Sequence, residues 1–229
     1  MAVSIEFPSF RSVIGLFARY GKAVAPRLST EQTLILQEAS GTLADLQYLV
    51  EEIIALNSSL IARSEQRARD LLDSLRQAGS TDPEFAKFLA DNPNLQPSSI
   101  SSVHGPEGED LIPEEDRDVV RDLRLKTEQF YQLAHRFTKV VALLPSLQGF
   151  EHKPTAVVRN QLIEHPEGKA SKVPFDSFGY GTVTGPVVKA LRLGKEVGPH
   201  PDPGLYPNAV DLIRALTEAL SAALAEQPQ

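Results

Sequence analysis

Residues 113–145 read PEEDRDVVRDLRLKTEQFYQLAHRFTKVVALLP, and this stretch decides the fold. Val119, Leu123, Lys126, Phe130, Leu133, Phe137, Val140 and Leu144 recur every four or three residues, the rhythm of one face of an α-helix, and only Lys126 is not apolar. Pro113 suits the first turn of such a helix and Pro145 its end. The spacing predicts one long helix with an apolar stripe that must be buried against others.

Upstream, Ser29 and Thr30 offer caps to a second long pattern, with Leu36, Ala39, Leu43, Leu46, Val50 and Ile53 in steps of three and four. Asn57, Ser58 and Ser59 interrupt that stripe before Leu60, so a kink or restart is expected there. Gly79 suits the stop, and Asp82-Pro83 opens a short helix carrying Phe85, Phe88 and Leu89. Residues 92–113 turn to Pro, Ser, Gly and acids, and read as a loop. Downstream, a short helix is expected from Thr155 to about Glu164, and another from about Pro207 to Ala225 with Val210, Ile213, Leu216, Leu220 and Leu224 on one side. Gly and Pro crowd residues 166–206, an irregular insertion in which the β-branched run Gly181–Val188 fits a small hairpin. The expected architecture is mainly α: a single helical domain over residues 1–229, a bundle of four to five main helices with that insertion.

The composition excludes several classes. The 229 residues are 41% hydrophobic and 23% charged, which is globular rather than disordered. Without cysteine there are no disulfides, thiolate nucleophiles, iron–sulfur clusters or cysteine zinc sites. The N-terminal stretch lacks the pattern of a signal peptide, and no apolar run approaches a membrane span, so a cytoplasmic protein without membrane contact is expected. A formal charge of −7 sets the bulk field against nucleic acid, so any such contact needs a local basic group.

Chemistry-bearing patterns are few. No two of His104, His135, His152, His165 and His200 share a helical face at ligand spacing, so no metal is expected. The acids between Glu107 and Asp118 read as helix-dipole partners and solvating groups. Nucleotide-binding glycine loops and the Gly-x-Ser-x-Gly elbow are absent, and no cofactor is expected. Tyr131 and His135, four apart, suit packing better than ligand binding. Arg117, Arg121, Arg124 and Lys126 alternate with Asp118 and Asp122, as on a solvated, ion-paired face.

Residues 157–166, VVRNQLIEHP, are different. Arg159, followed by Asn160 and, after five intervening residues, by His165, resembles the signature of the HEPN superfamily (higher eukaryotes and prokaryotes nucleotide-binding). The resemblance implies an all-α, commonly dimeric bundle. It further implies a metal-independent ribonuclease of RNA-processing, toxin–antitoxin or defence systems, with Arg159, Asn160 and His165 as catalytic residues. The chain departs from the family in two places: Glu164 stands directly beside His165, and Glu167 stands where some members carry tyrosine.

The physical reading of these residues is compatible with that chemistry. Six residues turn an ideal helix by about 240°, so Arg159 and His165 share a site only if the helix ends between them. Pro166 disfavours the α region at His165 and provides such an end. An imidazole titrates near neutrality, and a guanidinium holds a phosphate through paired N–H bonds. The same residues also read as scaffolding, with Arg159 paired to Glu164 or to carbonyls, Asn160 bonding backbone, and His165 closing a helix. The rival function is therefore a non-catalytic helical interaction module engaging a partner protein. The apolar second side made by Leu34-Ile35-Leu36, Leu49-Val50 and Ile53-Ile54 predicts a homodimer in either case.

Overall fold

The computed structural model describes residues 8–79, 87, 91, 114–160, 191–192, 195–196 and 205–226. Among them the chain is mainly α, with five helices: α1 (Arg11–Val24), α2 (Thr30–Gly79), α3 (Arg117–Val141), α4 (Lys153–Arg159) and α5 (Leu205–Ala225). Short 3₁₀ turns occupy Ala25–Arg27 and Glu114–Asp116. Inside the Gly/Pro-rich stretch, β1 (Leu191–Arg192) and β2 (Lys195–Glu196) pair antiparallel, with Leu191 opposite Glu196. The hairpin expected over Gly181–Val188, the loop at 92–113 and the helix after Asp82-Pro83 lie outside the described residues, apart from helical Lys87 and Asp91. Contacts gather the chain into two compact units, residues 1–54 with 122–229, and residues 55–121.

The first unit is built on stripes at helical spacing. On α2, Ala39, Leu43, Leu46, Val50 and Ile53 are buried, as the periodicity predicts. Ser29 starts this helix with a reciprocal capping box: its hydroxyl accepts from the Gln32 N–H at 3.2 Å, and the Gln32 side chain accepts from the Ser29 N–H at 3.0 Å. The segment ahead of it is itself a helix, α1, which is not among the helices expected from the sequence. Phe10, Val13, Phe17, Tyr20 and Val24 form its buried face. Tilted ring pairs join it to α3, Phe10 to Phe130 at 6.3 Å and Phe17 to Phe137 at 6.2 Å between centroids. Each such side chain contributes about 1.5–3 kcal/mol on burial, so this aromatic seam is a main source of stability.

On α3 the buried line runs through Leu123, Thr127, Phe130, Ala134, Phe137 and Val141. Lys126, Leu133 and Val140 flank it, which explains the one non-apolar member of the expected stripe: the Lys126 ammonium lies 2.6 Å from the Glu52 carboxylate. The helix ends at Val141 rather than running up to Pro145, and its last carbonyls are closed by tighter bonds, Leu143 N–H to Val140 and Leu144 N–H to Val141. Leu144 stays buried in the turn that follows. There Ser146 and Gly149 adopt positive φ (57° and 80°), and the buried Tyr20 hydroxyl donates to the Pro145 carbonyl at 2.5 Å. Burial pushes the Tyr20 phenol up to about 12. On α5, Leu212, Leu216, Leu220 and Ala223 form the buried face, and Pro207 sits in the first turn, where its missing N–H costs nothing.

Two expectations are corrected by the second unit. The helix does not break at Asn57: α2 is continuous from Thr30 to Gly79, and Asn57 is buried between Ile53 and Leu60 in the same rhythm of four and three. Three polar side chains change what a helix buries, but without proline they leave its backbone ladder intact. The acids before α3 are likewise not all solvating. The helix starts at Arg117, four residues after Pro113, because the chain first makes a 3₁₀ turn that buries Asp116. Its carboxylate meets Arg63 at 3.0 Å on one oxygen and Arg67 on the other, while Arg63 also donates to the Glu115 carbonyl at 3.3 Å. The ion pairs Arg121–Asp118 and Arg124–Glu128 agree with the solvated face read from sequence.

Candidate functional site

The candidate site is carried by α4, in the first unit. Its sequence, HKPTAVVRN from His152, has proline in the first turn and a histidine in the capping position. His152 replaces the usual Ser, Thr, Asp or Asn: its Nδ1 accepts from the Thr155 N–H at 3.3 Å. The Thr155 hydroxyl lies 2.5 Å from the same nitrogen, and Nε2 lies 3.1 Å from Asp211 of α5. The other oxygen of Asp211 takes Arg214. Burial holds the His152 imidazole below its ordinary value, and the bonded Asp211 carboxylate opposes that shift. Hydroxyl, imidazole and carboxylate in a row resemble a nucleophile relay, but Thr155 is 0% exposed, so its hydroxyl meets no substrate.

Thr155 and Val158 form the buried face of α4, and the helix ends with its polar residues outward. Arg159 is half-buried in the last turn, where a cation complements the helix dipole, and Asn160 follows, exposed. The Arg159 Nη1 donates to the Asn160 Oδ1 at 3.3 Å. The Asn160 N–H reaches back to the carbonyls of Ala156 and Val157, so the backbone is still helical there. The structure thus brings Arg159 and Asn160 together at one surface. His165, the third expected member, lies outside the described residues, as do Glu164 and the turn expected at Pro166.

The remaining candidates are accounted for in the first unit. Tyr131 is buried, and its hydroxyl accepts from Asn208 at 2.8 Å, a packing role. The Thr138 hydroxyl donates to the His135 carbonyl at 2.7 Å. An open groove of about 440 Å³ lies between α2 and α3, lined by Asp45, Tyr48, Leu49, Gln129, Leu133 and Arg136 among others. Tyr48 is 61% exposed beside it, bonded to Glu52, and Leu34 of α2 is equally exposed. Of the residues expected to form an apolar second side, Leu49, Val50 and Ile53 are covered within the chain itself.

The link from Thr155 through His152 to Asp211 is not legible in the sequence. The signal present was Pro154, which marks a first helical turn and makes His152 a cap position. Among the described residues no three His, Asp or Glu side chains gather as a metal site, and no helix is long and apolar enough to cross a membrane. No protein-family model, curated protein or solved structure matches the chain.

Proposed function

We propose that the chain is a HEPN-like protein that cleaves RNA without a metal ion, in an RNA-processing, toxin or defence role, and that it acts as a homodimer. One observation carries the reading: Arg159 and Asn160 stand side by side on α4 and bond to one another, in a mainly helical chain, six and five residues ahead of His165 in the sequence. In this reading the guanidinium of Arg159 holds the scissile phosphate and balances the charge that collects on its oxygens. His165 moves protons at the reacting oxygens. The ribose 2′-oxygen bonds to phosphorus as its proton leaves, the bond from phosphorus to the 5′-oxygen breaks, and that oxygen takes up a proton. Asn160 orients Arg159 through the bond they share.

The test is incubation of the purified chain with mixed RNA and EDTA. Fragments ending in 2′,3′-cyclic phosphate are expected, and DNA, which lacks the 2′-hydroxyl, stays intact. RNA left whole by a well-folded protein contradicts the reading.

A second reading, a non-catalytic module that binds a partner protein, is favoured by the groove between α2 and α3 with exposed Tyr48 on its rim. Substituting Tyr48 and Leu133 by alanine separates the two readings, since only the module depends on that groove.

A further inference from the structure

We propose that His152 is a pH-operated latch between α4 and α5: as a neutral imidazole it ties the first turn of α4 to Asp211, and on taking a proton it gives up the cap of α4. The inference goes beyond RNA cleavage and needs none. It stands on how the ring's two nitrogens are used. The His152 side chain is 3% exposed, so water does not replace a lost partner. A backbone N–H can only donate, and the Thr155 N–H is directed at Nδ1, so Nδ1 is the unprotonated nitrogen. A carboxylate only accepts, so the proton sits on Nε2 and is donated to Asp211. Thr155 Oγ1 then donates to Nδ1 as well.

A second proton can go only to Nδ1. It would face the Thr155 N–H, donor against donor, and force the Thr155 hydroxyl to turn from donor to acceptor. The cap is lost at the first turn of α4, where the Thr155 N–H is one of the donors that the helix itself leaves unpaired. Among the described residues the charged groups that face the ring are Asp211 of α5 and, on its other oxygen, Arg214. The neighbours in the chain, Glu151 and Lys153, are exposed. Asp211 favours the imidazolium and burial opposes it, burial being the larger. The folded ring therefore resists a proton that the released ring accepts at its ordinary value, about 6.5. Stability from the latch is fully present above that value, begins to be lost as the pH falls below it, and is gone once the pH has passed the lower value of the folded ring. Under the RNA-cleaving reading, and resting on it, the same release would loosen the helix that presents Arg159.

NMR of the full chain tests the latch directly. At about pH 8, well above the ordinary histidine value, the ring-nitrogen shifts of His152 should report the Nε2–H form. On acidification to about pH 5.5, about one unit below the ordinary histidine value, the Thr155 and Ala156 amides should lose exchange protection by up to about tenfold, the ceiling that proton linkage sets there, after correction for intrinsic exchange. Amides of α1 should keep theirs. His152→Asn keeps a capping acceptor that does not titrate, and its α4 protection should be independent of pH. An Nδ1–H tautomer, an imidazole that titrates at its ordinary value with α4 unchanged, or equal acid loss in H152N would each overturn the proposal. The wild-type shifts and exchange decide the matter even if H152N folds poorly.

Discussion

Asp116 shows how much a single residue's role depends on partners remote in sequence. A carboxylate this buried costs several kcal/mol to desolvate and is retained only because Arg63 and Arg67 bracket it. Both guanidiniums keep about a third of their side-chain exposure (36% and 37%), so water shares their charge. We therefore expect Asp116→Asn to cost about 1–3 kcal/mol, below the range for a fully buried pair. Urea unfolding with an unchanged slope would show it, and a cost under about 0.5 kcal/mol, the usual size for surface substitutions, would mean that solvent already supports the arginines. Nothing in the sequence marks Asp116 out from the neighbouring acids, since what distinguishes it is the pair Arg63 and Arg67, far earlier in the chain. His152 was hidden for the same reason: its acceptor role needs Thr155 close by and Asp211 from another helix.

Helices were legible where the apolar stripe ran unbroken. The central spans of α2 and α3 follow from spacing alone, because a buried face must repeat every three or four residues, whereas on α5 the helix was legible but its face was not: of the expected line only Leu216 and Leu220 are buried, and Val210, Ile213 and Leu224 are half-buried. Boundaries and polar members of a stripe were not, since Asn57 and Lys126 owe their places to tertiary surroundings rather than to hydropathy. The first helix, α1, shows the same limit. Its start is fixed by Gln47 of α2, whose side-chain oxygen accepts from the buried Phe10 N–H at 2.5 Å while its amide donates to Glu51 at 2.7 Å, and Glu51 also holds Arg11 at 2.6 Å. Gln47→Ala leaves the Phe10 N–H without its acceptor, for an expected loss of about 1–3 kcal/mol. Hydrogen exchange should show the loss concentrated in the first turns of α1. Uniform loss across all helices would mean that Gln47 supports the core rather than this one end.

At the scale of the molecule, the fold class was legible. The site was not legible in the same way: Arg159 and Asn160 are bonded neighbours on α4, and whether His165 returns to them depends on a Gly/Pro-rich stretch in which no periodicity fixes the chain. A homodimer would give twice the 25.0 kDa chain mass in light scattering at micromolar concentration. A monomeric mass would remove the partner copy from the proposal. Because catalysis and scaffolding make opposite demands on the same residues, the most direct measurement is RNA cleavage in EDTA by Arg159→Ala and His165→Ala beside the wild type, with melting temperatures on the same samples. Cyclic-phosphate products are expected from the wild type and rates lower by roughly 10² to 10⁴ in each variant, with melting temperatures unchanged. Intact RNA with folded wild type, or variants that lose melting temperature and not rate, would contradict it.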